Sequence, residues 1–87
     1  MSELYKPTKV RIATIVCEML EIDRDELSDA DLFREDHGAS SLLVIEILLM
    51  LEQTFKIKIE PTDLGRMVNL TGTYDVMAES LYRAEAA

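Results

Sequence analysis

Residues Ser41 to Phe55 read Ser-Leu-Leu-Val-Ile-Glu-Ile-Leu-Leu-Met-Leu-Glu-Gln-Thr-Phe, an unbroken run without Gly or Pro. A run of this length makes about four helical turns, so the segment is predicted to be a helix. At about 100° per residue, Val44, Ile47, Leu48, Leu51 and Phe55 fall within an arc of roughly 100° and form the predicted core face. Leu42, Ile45 and Leu49 gather in a second arc of roughly 60°, centred about 140° away and flanked by Glu46, Glu52 and Gln53. A small domain can hardly bury both. Each aliphatic side chain left in water forgoes roughly 1.5–3 kcal/mol of burial, so the second arc predicts a surface that another protein covers, unless a neighbouring loop folds back over it.

Upstream, the apolar residues Ile12, Ile15, Val16, Met19 and Leu20 recur at helical spacing and predict a first helix from Pro7 to Leu20. Between the two helices lies a long polar connection, Glu21 to Ser40, in which Leu27, Leu32 and Phe33 are spaced to pin it to a core. Connections of this length in a compact domain are usually functional or contain a short helix. Downstream, Phe55 to Ile59 alternates like a strand but has nothing to pair with, so it is read as extended loop. Pro61 to Met67 suits one short helix with Asp63 near its positive end. Tyr74, Met77, Ala78, Leu81 and Tyr82 form the apolar stripe of a last helix, with Thr71, Gly72 and Thr73 read as its start signals. The expected fold is therefore all-α, with three longer helices and one short third helix in a single domain spanning residues 1–87.

The chain carries 17 acidic and nine basic residues, a formal charge of −8. Such a charge repels nucleic-acid phosphates and anionic membrane surfaces, and it favours partners that present basic patches. The excess is local: Glu18 to Glu52 holds eleven acids and only Arg24 and Arg34 as bases. The one cysteine, Cys17, cannot form an internal disulfide and lies among apolar neighbours, so it reads as a small core residue. No signal segment or bilayer-length apolar run is present in the sequence, which leads us to expect a cytoplasmic protein. Asp23, Asp25 and Asp29 suggest a calcium loop. However, Leu27, Ser28 and Arg34 stand where that pattern needs an oxygen ligand, a Gly and a Glu, so no metal site is expected.

The turn Gly38-Ala39-Ser40-Ser41-Leu42, followed by Ile45-Glu46-Ile47 and closed by Phe55, resembles the acyl carrier protein family. The resemblance spans most of the chain and implies a four-helix bundle. It also implies that Ser41 carries a covalent 4′-phosphopantetheine donated by coenzyme A, with Leu42 as the apolar residue beside it and Glu46 as an acidic recognition residue one turn on. The physical logic stands apart from the name. A hydroxyl at a helix start is accessible, and a phosphodiester there meets backbone N–H groups with no intrahelical acceptor and the positive end of the helix dipole. No base sits at a helical neighbour of Ser41. The chain is therefore expected to be a substrate and no enzyme, and the resemblance implies that a separate phosphopantetheinyl transferase supplies the chemistry.

The family commonly has Asp directly before the modified serine; here Ser40 occupies that place and is the expected helix cap. Leu43 stands where fatty-acid carriers are often acidic and resembles the apolar residue of polyketide-type carriers. The resemblance thus implies a free-standing, monomeric carrier of thioester-linked acyl intermediates in a fatty acid or polyketide-type pathway. Its expected partners are a loading ligase or acyltransferase, a ketosynthase and other enzymes with basic docking patches. Two alternatives remain open at the level of sequence: an aminoacyl carrier, and a helical interaction module that never bears a prosthetic group. His37 reads as an ordinary solvated loop residue, and Met19, Met50, Met67 and Met77 as irregular core filling or an adaptable acyl lining.

Overall fold

The computed structural model describes residues 4–86. Helix α1 spans Lys6–Leu20, α2 spans Ser41–Phe55 and α3 spans Leu70–Ala86, with a one-turn 3-10 helix at Arg24–Glu26 and a longer 3-10 segment at Pro61–Arg66. No strand occurs among the described residues. The short third helix expected from Pro61 is this 3-10 segment, so the tally of three long helices and one short one is as expected. The turn at Arg24–Glu26 is additional, held by a capping box in which the Glu26 carboxylate accepts from the Asp23 N–H at 2.8 Å.

The core forms where the inner faces of the three helices meet. Ile12, Ala13, Val16 and Cys17 come from α1, and Val44, Ile47, Leu48 and Leu51 from α2. The connection contributes Leu27 and Phe33, both buried, so it packs into the core and leaves the second stripe of α2 uncovered. Phe55, predicted to be a core aromatic, is only half-buried; its ring is roofed by the Arg11 guanidinium at 4.8 Å, so a cation–π contact replaces part of the expected burial. Both α1 and α2 end without glycine, on Glu21 (φ 60°) and Lys56 (φ 55°) in the left-handed conformation. Beyond Lys56 the chain runs extended, with Ile59 buried and its N–H donating to the Glu52 carboxylate at 2.8 Å. That hydrogen bond gives the alternating segment the partner that no second strand supplies.

Helix α3 departs from expectation in start and face. It begins at Leu70, a turn earlier than Thr71, Gly72 and Thr73 suggested, because the Asn69 side chain accepts from the Gly72 N–H at 2.8 Å and caps it. Its inner face carries Leu70, Thr73, Tyr74, Val76, Met77 and Ser80, whereas Tyr82 is 73 % exposed. Two polar residues sit inside because their hydroxyls find partners. Thr73 Oγ1 donates to the Asn69 carbonyl at 2.8 Å, and Ser80 Oγ accepts from Arg83 at 3.3 Å. Gly72 lets α3 approach the end of the 3-10 segment: a Cβ there would stand 2.0 Å from the Arg66 carbonyl oxygen.

Arg66 ties the same two elements together, donating to both Glu79 carboxylate oxygens at 2.8 and 2.7 Å and to Asp63 at 3.2 Å. Gly72→Ala is expected to destabilise the protein by about 1–3 kcal/mol through backbone displacement. Gly65→Ala, where an added Cβ meets nothing within 4 Å, is expected to stay within about 0.5 kcal/mol of wild type. Urea denaturation of the two variants checks both values.

Candidate functional site

The site is built at the start of α2. Gly38 takes φ 71°, a left-handed turn open to glycine at little cost, and brings the chain out of the connection. Its N–H donates to the Arg34 carbonyl at 3.0 Å, and the next N–H, of buried Ala39, donates to the Phe33 carbonyl at 3.0 Å. The Phe33 N–H in turn donates to the Val68 carbonyl at 2.9 Å. These bonds lead the backbone into Ser40, extended at φ −79° and ψ 164°, whose Oγ accepts from the Leu43 N–H at 3.1 Å. Ser41 follows as the first helical residue and is exposed, so its hydroxyl is presented to solvent.

Ser41 opens onto a groove of about 240 Å³ between α2 and the 3-10 segment. Apolar side chains form most of its walls: Phe33 from the connection, Val44 and Ile45 from α2, and Leu64, Met67 and Val68 from the 3-10 segment and the residues that follow it. Gly65 adds no side chain, and Arg34 is the one cation in the lining. Along the outer face of α2, Leu42, Ile45 and Leu49 are 63, 38 and 52 % exposed, and Glu46 is exposed beside them. Met50, which the sequence grouped with possible core or cargo-lining methionines, is instead 39 % exposed beside this stripe, whereas Met67 and Met77 are fully buried.

His37 is not an ordinary solvated loop residue. Its Nε2 lies 3.0 Å from Asp31 Oδ2, and the pair is part-buried. Asp31 also accepts from the Ser28 N–H at 3.0 Å, and Asp36 accepts from the Leu32 N–H at 2.7 Å. Three acids of the connection, Glu26, Asp31 and Asp36, are thus committed to holding its backbone, a role composition does not reveal. Cys17 is buried among apolar residues, and burial pushes its thiol pKa up.

Comparison with known proteins agrees with this geometry. Residues 10–71 match the family described as "Phosphopantetheine attachment site". Over 72 residues the chain is 51 % identical to the Streptomyces avermitilis "Polyketide-8 synthase acyl carrier protein 1", covering 83 % of this chain and 86 % of the relative. It is 29 % identical to "Polyketide-8 synthase acyl carrier protein 2" of the same organism over 73 residues, 84 % of each chain. It is also 34 % identical to an "Acyl carrier protein" of Campylobacter jejuni over 59 residues, 68 % of this chain and 77 % of the relative. The chain belongs to the phosphopantetheine-bearing acyl carrier protein family.

It is accordingly a carrier and not a catalyst, and it works through a covalently attached 4′-phosphopantetheine. The residues fit such a group: an exposed hydroxyl stands at a helix start whose first N–H groups have no intrahelical acceptor, beside an apolar groove with one cation. When attached, the arm supplies a terminal thiol on a long flexible tether, and acyl groups ride on it as thioesters. This chain's own residues hold the Ser41 hydroxyl in solvent, next to the exposed aliphatic stripe of α2.

The His37 hydrogen bond, with that of Ser28, holds the Asp31 carboxyl below its ordinary value of 3.8. A depressed carboxylate contributes stability that is present above its unfolded pKa and is lost as pH falls through the folded one. Asp31→Asn is therefore expected to melt below wild type at about pH 5, with the gap closing below about pH 3.8. Thermal melts from about pH 5 to about pH 3 test the sign.

Proposed function

We propose that Ser41 is the attachment point and that the protein carries acyl intermediates of a polyketide-type pathway. The observation that carries the attachment reading is the exposed Ser41 hydroxyl at the first position of α2, with the Ser40 hydroxyl occupied as the cap. The pathway reading is supported by the 51 % identity to a relative named as a polyketide synthase carrier and by apolar Leu43 two residues beyond Ser41. A phosphopantetheinyl transferase installs the arm. A loading ligase or acyltransferase and a ketosynthase then act on it, in the cytoplasm.

These enzymes dock on Leu42, Ile45, Glu46 and Leu49. Three aliphatic side chains in water, beside a carboxylate that no cation pairs with among the described residues, form a surface suited to an apolar patch edged by Lys or Arg. The α2 stripe begins one residue after Ser41, so an enzyme seated on it lies within reach of the arm.

Intact-protein mass spectrometry after incubation with coenzyme A and a broad-specificity transferase tests the attachment. Wild type and Ser40→Ala are expected to gain the arm and Ser41→Ala to remain bare; a mass gain in Ser41→Ala would refute the assignment. Because Ser40 caps α2, Ser40→Ala is also expected to lose about 1 kcal/mol of stability. On the docking face, Leu49→Asp leaves the attachment turn intact and is expected to lower kcat/KM of the transferase or loading enzyme by about tenfold, equivalent to about 1.4 kcal/mol. Unchanged kinetics with each enzyme would remove Leu49 from the docking surface.

A further inference from the structure

We infer that Arg34 holds the phosphodiester of the arm where Ser41 meets the groove between α2 and the Pro61–Arg66 segment; this rests on Ser41 being the attachment point. Arg34 and Ser41 line the same groove, and no carboxylate shares that lining. The groove therefore offers an anion at Ser41 one cation and no competing acid.

Arg34 is also unspent. It stands in the most acidic part of the sequence, yet no carboxylate pairs with it among the described residues. Two of the acids near it in the chain are engaged elsewhere, Asp31 with His37 and the Ser28 N–H, and Asp36 with the Leu32 N–H, while exposed Glu35 pairs with no cation among the described residues. Arg66, on the segment that forms the opposite wall, is held by Glu79 and Asp63. A guanidinium presents a planar fork of donors that matches two phosphate oxygens. Its backbone is fixed as well, since the Arg34 carbonyl accepts from Gly38 at 3.0 Å and neighbouring Phe33 is fully buried.

The phosphodiester bears one negative charge at neutral pH, and pairing it with Arg34 orients the first bonds of the arm toward Leu64, Met67 and Val68. Arg34 is exposed, so the pair is a bias and not a lock. An exposed ion pair shifts such an equilibrium by up to about fivefold, and salt weakens it.

The test uses apo and holo forms of wild type, Arg34→Gln and Arg34→Lys, followed by the ³¹P resonance of the arm and by ¹⁵N spectra at low salt and at about 0.5 M salt. In wild type, arm attachment is expected to shift the Arg34 Nε–H resonance and the amides from Leu64 to Val68. Arg34→Gln is expected to move the ³¹P signal and to abolish the shifts at Leu64 to Val68, Arg34→Lys to restore them in part, and salt to diminish them. Melting of apo Arg34→Gln at the wild-type temperature confirms that the fold is intact. The inference is overturned if holo Arg34→Gln gives the wild-type ³¹P signal and amide shifts. It is equally overturned if the variant only slows arm attachment and leaves the holo spectra unchanged, since Arg34 would then serve the transferase. Attachment at a residue other than Ser41, located by peptide mapping, would instead overturn the attachment reading.

Discussion

Phe33 is the residue on which the geometry of the site depends. Its ring is fully buried, its N–H bonds to Val68, and its carbonyl accepts from Ala39. One side chain thus anchors the long connection to the core, while its backbone links the loop before α3 to the turn before α2. A connection of this length, left to itself, would place its end anywhere within a wide radius. Because Phe33 is held on three sides, Ser40 arrives in the extended conformation that a cap requires, and Ser41 projects from the bundle. The exposed end of the carrier is fixed from the inside.

The wall opposite Ser41 is organised by a different principle. The Pro61–Arg66 segment is short, and 3-10 geometry provides little internal stability. Its position comes from outside: Met67 is buried, Gly72 lets the α3 backbone come close, and the Arg66 fork grips Glu79. The groove thus has one wall carried by a four-turn helix and another hung on α3 by a few contacts. Any widening of the groove is expected to come from the second wall.

The sequence revealed the parts governed by periodicity. The extent of α2, its two apolar arcs and the exposure of Leu42, Ile45 and Leu49 followed from spacing alone, as did the burial of Leu27 and Phe33. What it hid were features decided by hydrogen-bond partners. Thr73 and Ser80 look like surface residues until their hydroxyls are seen bonded to Asn69 and Arg83, and that rotation of α3 turns Tyr82 outward. Likewise Asn69, which caps α3, gave no pattern signal next to the more conspicuous Thr-Gly-Thr. At the site, the Gly38 turn and the start of α2 at Ser41 were legible, but the acids of the connection looked like a solvated charge field. Several of them are backbone staples, which is why composition could not reveal that no carboxylate pairs with Arg34 among the described residues.

Burial of Cys17 also bears on the fidelity of the carrier. A protein whose cargo hangs from a thiol risks passing that cargo to any other accessible thiol of its own, or closing a disulfide with it. This chain has a single cysteine, enclosed in the core with its ionisation disfavoured, so the side chain that could trap an activated acyl group is screened from it. Loaded intermediates are thereby left to exchange with enzymes and not with their own scaffold.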